Sequence, residues 1–158
     1  MIKPKLHVDL KMTANAVHHA RTDITIRDLN TIIDEPEARG GTNVGPTPTE
    51  MLMSSLIGCT NVVSQRIAHR DGVHFAAMTI ALHAKFDRRG AAMDEEIDLP
   101  FPVIMMTIDV TTDATPEQMD LIKTDLGRFC PVAKMMRAAG TVIEETWNVH
   151  PVEHAVTA

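Results

Sequence analysis

Two cysteines, Cys59 and Cys130, are the side chains of this chain best suited to chemistry. Cys59 falls inside the apolar stretch Met51–Ile67, and Cys130 stands directly before Pro131, where a helix can begin. A thiol reacts as its thiolate, and its ordinary pKa near 8.5 falls beside a helix N-terminus or a cation. Cys130 is therefore expected to feel the open amides of a first helical turn. Cys59, mid-helix among apolar neighbours, needs a cationic partner to ionise. Two thiols in such places can exchange electrons; the blander reading is a pair of buried sulfurs acting as small hydrophobes.

Arg39 is the attractive cation. It opens a Gly-rich loop that can open and close over a site, and Glu50 could hold its planar fork by a bidentate bond. Arg21 is the substitute. Against these stand simpler duties, a solvated loop charge for Arg39 and helix capping for Glu50. Nine residues of one helix separate Glu50 from Cys59 by roughly 13 Å of rise and about half a turn of phase. The two cannot meet on one straight helix, so cooperation requires the loop and carboxylate of one subunit and the thiol of another. The eight histidines show no spacing with the cysteines that makes a metal site, and no cofactor is implied.

The elements that must position these groups follow from pattern. Leu6 to Ile33 reads as extended, with Leu6, Val8 and Leu10, then Ile24 and Ile26, alternating about a polar break at Asn15 to Ala20. Asp34 to Pro48 is too rich in Gly and Pro for regular structure. Thr47, Pro48 and Glu50 then form a Thr-x-x-Glu capping box. Behind it Met51, Leu52, Leu56, Cys59, Val63 and Ile67 make a helical stripe dense enough to predict burial on most sides, until Asp71-Gly72 ends it.

Strands are predicted at Ile80, Leu82, Ala84 and Phe86, turned by Arg88-Arg89-Gly90, and at Val103 to Val110 with Ile104, Met106, Ile108 and Val110 inward. Thr115-Pro116-Glu117-Gln118 opens a second helix carrying Met119, Ile122, Leu126 and Phe129 on one side. Cys130-Pro131 starts a third, ended by Gly140, and Thr141 to Val149 is a closing strand. The order predicts an α+β fold with antiparallel sheet, as one domain over residues 1–158.

Acidic residues outnumber Lys and Arg by 21 to 15, and no basic run could track a phosphate backbone, which argues against nucleic acid. The N-terminal Met-Ile-Lys-Pro-Lys-Leu-His-Val-Asp interrupts its apolar character at every second residue, unlike a secretory signal, and nothing approaches a membrane span. The expected setting is the cytoplasm, where thiols stay reduced and two cysteines suggest catalysis or sensing before structure. Tyr is absent and Met numbers 11, as pliable core filler or as the lining of a greasy site.

The segments Gly-Gly-Thr-Asn-Val-Gly-Pro-Thr-Pro-Thr-Glu-Met-Leu-Met-Ser-Ser-Leu-Ile-Gly-Cys (40–59) and Phe-Cys-Pro-Val-Ala-Lys-Met-Met (129–136) resemble the two motif regions of the OsmC/Ohr family of thiol peroxidases. The resemblance extends in element order over nearly the whole chain. It implies antiparallel sheets packed around a long buried cysteine-bearing helix, in an intertwined homodimer with active sites shared between subunits. It implies that Cys59 attacks an organic hydroperoxide, that Cys130 resolves the sulfenic acid to a disulfide, and that Arg39 and Glu50 shape the site. The Ohr branch draws its Arg from nearer the N-terminus, as Arg21 would be. Met51, Leu56, Phe129 and Met135 are the expected apolar lining. The reductant implied is a dihydrolipoyl group on a lipoylated protein, or another dithiol. Gly-Cys-Thr-Asn-Val-Val at Cys59 and the lack of Tyr point to the broader OsmC-like branch. There a redox-responsive binding module without turnover is the competing expectation.

Overall fold

The computed structural model describes residues 6–152, so the N-terminal residues 1–5, part of the signal-sequence argument, lie outside the described residues. The chain divides into two compact units, one reaching to Leu52 and one starting at Met53.

The first unit is a three-stranded antiparallel meander of β1 (Met12–His18), β2 (Arg21–Ile26) and β3 (Leu29–Ile33). The strands lie later than the alternation at Leu6, Val8 and Leu10 suggests: those three residues are exposed coil, and Asn15 to His18 belong to β1 rather than to a break. Asn15 pairs with Asp23 and Ala16 with Thr22, so the ladder, a tertiary property, overrides a locally polar sequence. After β3 a loop with one 3-10 turn (Glu37–Arg39) leads to helix α1 (Pro48–Arg70). Among the described residues, the buried ones of this unit are Asp34 and Thr47, both polar.

The start of α1 is the expected capping box: the Thr47 N–H donates to Glu50 Oε2 at 2.8 Å and the Glu50 N–H to Thr47 Oγ1 at 3.3 Å. Two donors that a helix start leaves open are thereby satisfied. Farther along, α1 buries one face, Leu56, Thr60, Ser64, Ile67 and Ala68, while Leu52 and Val62 are exposed. Within this chain the burial is thus one-sided.

In the second unit β4 (Phe75–Ala84), β5 (Val103–Thr112) and β6 (Val142–His150) form one sheet with β5 central. Ile104, Met106, Ile108 and Val110 of β5 are at most 2% exposed, as their alternation predicts. β4 pairs antiparallel with β5, as do the strands of the first unit with one another, whereas β6 joins β5 in parallel, a pair that the antiparallel expectation did not include. The cause lies between them: helices α2 (Pro116–Phe129) and α3 (Pro131–Ala138) return the chain across the sheet, and a parallel pair needs such a crossover. Met119, Ile122 and Leu126 of α2 complete the core behind a second capping box at Thr115 and Gln118. Phe86 lies beyond the end of β4 and stacks on Phe101, with ring centroids 4.9 Å apart. Among the described residues, no helix is long and apolar enough to cross a membrane.

Candidate functional site

Pro131 determines where the second sulfur goes. A residue before proline is driven from the helical region, and Cys130 adopts φ −68° and ψ 109°, ending α2 and capping α3 in one step. Its N–H still donates to Leu126 O at 3.0 Å, its carbonyl accepts the Lys134 N–H at 3.0 Å, and its side chain turns inward to 0% exposure. Phe129, predicted on the buried face of α2, is exposed instead, with the Arg128 guanidinium 5.5 Å from its ring centre. Cys130, the residue that follows the last helical position, occupies the inward place instead.

Cys59, half-buried on α1, packs against the same core. The Cys130 thiol donates to Cys59 Sγ with the sulfurs 2.9 Å apart. Both are free thiols, and a covalent bridge would need only a short approach to about 2.05 Å. The expectation that helix-start amides acidify Cys130 is overturned. Burial pushes its thiol up to about 11, the hydrogen bond to Cys59 adds to this, and the Ala133 N–H at 3.5 Å opposes it only weakly. Cys130 therefore holds its proton at neutral pH.

The first unit holds the two candidate cations. Arg39 ends the 3-10 turn, is exposed, and has its Nε 2.7 Å from Glu35 Oε2 without the alignment of a hydrogen bond. This is an i,i+4 ion pair with Glu35. Glu50 sits below the usual carboxyl pKa chiefly because it accepts from Thr47, and the Arg39 charge adds to the shift. Arg21 is clamped by Asp23 through Nε at 2.8 Å and Nη2 at 3.0 Å. Of the expected lining, Met51 is half-buried, Leu56 is core at 1% exposure, and Phe129 and Met135 are exposed at 53% and 75%. Among the described residues, no group of three or more His, Cys, Asp or Glu is arranged to hold a metal ion.

The sequence reading overlooked Asp34. Fully buried, its carboxylate accepts from the Glu35 N–H at 2.8 Å, the Thr42 N–H at 3.0 Å, Thr42 Oγ1 at 2.6 Å and the Val44 N–H at 3.1 Å. These bonds, that of the Thr42 hydroxyl first, hold its pKa down at about 2 against the desolvation that opposes them. The signal was a carboxylate at the foot of a Gly-rich loop with a hydroxyl eight residues on, a pattern that favours side-chain-to-backbone bonding.

No curated protein matches the chain. Among solved structures it is similar to an OsmC-like protein from Mycoplasma pneumoniae, at 12% identity and TM-score 0.72, over 94% of this chain and 100% of that one. It is likewise similar to a hypothetical protein from Aquifex aeolicus VF5, at 15% identity and TM-score 0.74, over 93% and 100%. A third is an organic hydroperoxide resistance protein from Elizabethkingia anophelis, with thiocyanate bound, at 16% identity and TM-score 0.62, over 94% and 100%. At such identities the likeness establishes the fold. The model of the family described as OsmC-like protein matches residues 40–146, and with the cysteine pair and fold above, the chain belongs to that family.

Proposed function

We propose that the protein is a thiol peroxidase that reduces organic hydroperoxides to alcohols through Cys59 and Cys130. The observation that carries this reading is the 2.9 Å separation of two free sulfurs whose residues lie 71 positions apart. The Cys59 thiolate attacks the distal oxygen of ROOH, the O–O bond breaks, and the alkoxide takes a proton and leaves as alcohol. Cys130 then displaces the hydroxyl of the Cys59 sulfenic acid, which leaves as water, and a disulfide forms. Two electrons leave the thiol pair and two reduce the peroxide. An external dithiol, of the dihydrolipoyl kind in a cytoplasmic setting, restores both thiols by exchange.

In this reading Arg39, steadied by Glu50, supplies positive charge to the Cys59 thiolate and to the leaving oxygen. The helix phase between Glu50 and Cys59 supports a homodimer in which one subunit's loop serves the other's thiol. The exposed Met12, Val17, Leu29 and Val44 of the first unit supply apolar surface for such a partner. Met51, Phe129 and Met135 are assigned to the organic part of the substrate, whereas Leu56, buried in the core, only backs such a lining. The test is consumption of cumene hydroperoxide in the presence of dihydrolipoamide. Repeated turnover abolished by Cys59→Ser supports the enzyme, whereas a single oxidation per protein without turnover supports the redox-responsive binding module instead.

A further inference from the structure

The bonds that Asp34 accepts fall on both sides of Arg39 in the chain. Glu35 precedes the 3-10 turn and Thr42 and Val44 follow it, so both feet of the Arg39 loop stand on one buried carboxylate. Backbone bonds close the same base: the Asp34 N–H donates to Pro46 O and the Asn43 N–H to Glu35 O, each at 3.1 Å. Within the loop, Gly40 takes a left-handed φ of +83°, and Gly41 passes so close to Glu35 that a Cβ there would stand 1.7 Å from its carbonyl oxygen. The loop is therefore braced from within, and its Gly content serves close approach more than free movement.

We infer that Asp34 is the positioning residue for Arg39, holding the loop so that the guanidinium is presented in one place rather than sampled over many. A carboxylate suits the task because it accepts several N–H and O–H bonds at once, whereas an amide would turn donor hydrogens toward donors. The inference rests on the reading that Arg39 serves Cys59.

Wild type, Asp34→Asn, Arg39→Ala and the double variant provide the test. Thr42→Val is a milder companion that removes one donor and keeps the carboxylate. Mass spectrometry follows the rate at which Cys59 is oxidised by cumene hydroperoxide and, separately, alkylated by iodoacetamide. Asp34→Asn is expected to slow oxidation by about 10²-fold, the scale of a misplaced catalytic group. In the Arg39→Ala background the same change should alter the rate by less than about 2-fold, because nothing remains to position. In steady state, kcat/KM for the hydroperoxide should fall while kcat/KM for the dithiol holds, a split that general loosening of the fold does not produce. Multiplying effects in the double variant, or an undiminished rate in Asp34→Asn, overturn the inference. If Asp34→Asn does not fold, Thr42→Val in both Arg39 backgrounds gives the same comparison. An Arg39→Ala variant as fast as wild type removes both the role of Arg39 and this inference. A wild type inert to hydroperoxide contradicts the proposed reaction alone. The iodoacetamide rates then decide the positioning role: it stands if the two slowing effects fail to multiply, and falls if they multiply or are absent.

Discussion

The Cys130 thiol donates a hydrogen bond to the Cys59 sulfur while Cys130 Sγ itself accepts from the Ala133 amide. The deeper sulfur is thereby held as a protonated donor facing the shallower one. On the proposed mechanism Cys130 is shielded from solvent species in this state, and it must give up its proton, which the departing hydroxyl takes up as water, as it attacks the oxidised Cys59 over this short path.

The elevated pKa of Cys130 makes stability depend on pH in a definite direction. An ordinary thiol loses its proton near 9, whereas folded Cys130 keeps it to about 11. Between those values the unfolded chain binds fewer protons than the folded one, so stability falls as pH rises, and below about 9 this group contributes no slope. Urea unfolding of wild type and Cys130→Ala across this range checks the sign. Wild type should lose stability relative to the variant as pH climbs, and parallel curves contradict the burial argument.

Asp34 gives the opposite dependence at the acid end. Its folded pKa is about 2 against an ordinary 3.8, so its stabilising effect is full above the ordinary value and fades as pH drops toward 2. The stability gap between wild type and Asp34→Asn should therefore narrow on acidification over that range. A gap that stays constant there contradicts the account of the loop.

Glu50 caps α1 and, on the proposed mechanism, also steadies Arg39, and substitution can separate the two. Thr47→Ala removes the cap acceptor of α1 and is expected to cost about 1 kcal/mol. Glu50→Gln retains an oxygen for the Thr47 amide, so stability should change by less than about 0.5 kcal/mol. Hydroperoxide reduction should nevertheless slow, because the charge that steadies Arg39 is gone. Unchanged activity in Glu50→Gln would leave Glu50 a cap and nothing more.

Adjacent positions on α2 test the core. Ile122 is 0% exposed and Leu121 is 62% exposed. Ile122→Ala should cost about 2–5 kcal/mol, by lost burial and the cavity left behind. Leu121→Ala should cost no more than about 0.5 kcal/mol. Denaturant midpoints at constant m-value would decide it.

Much of the scaffold was legible because its signals are local. Thr47 and Thr115 start helices through bonds made within three residues, Pro131 fixes the backbone of Cys130, and Ile104 to Val110 alternate into one core. What escaped depends on partners distant in sequence. The pairing of Asn15 with Asp23 makes strand of a polar segment, and the return through α2 and α3 aligns β6 with β5. On α1, Thr60 and Ser64 take buried places that hydrophobicity alone assigns to Cys59 and Val63. At the site, the nature of the two thiols was readable but not the protonation of Cys130. Cys130 shows both helix-start amides and burial, and only the structure reveals that burial wins. Asp34 was invisible because its importance lies in four bonds that exist only once the loop has folded.

The most direct test of the central claim is peptide mapping without reductant after one equivalent of cumene hydroperoxide. The account predicts a disulfide joining Cys59 to Cys130 within one chain, absent in Cys59→Ser, with a trappable sulfenic acid at Cys59 in Cys130→Ser. Two free thiols after treatment, or an oxidised Cys130 beside an untouched Cys59, would contradict it.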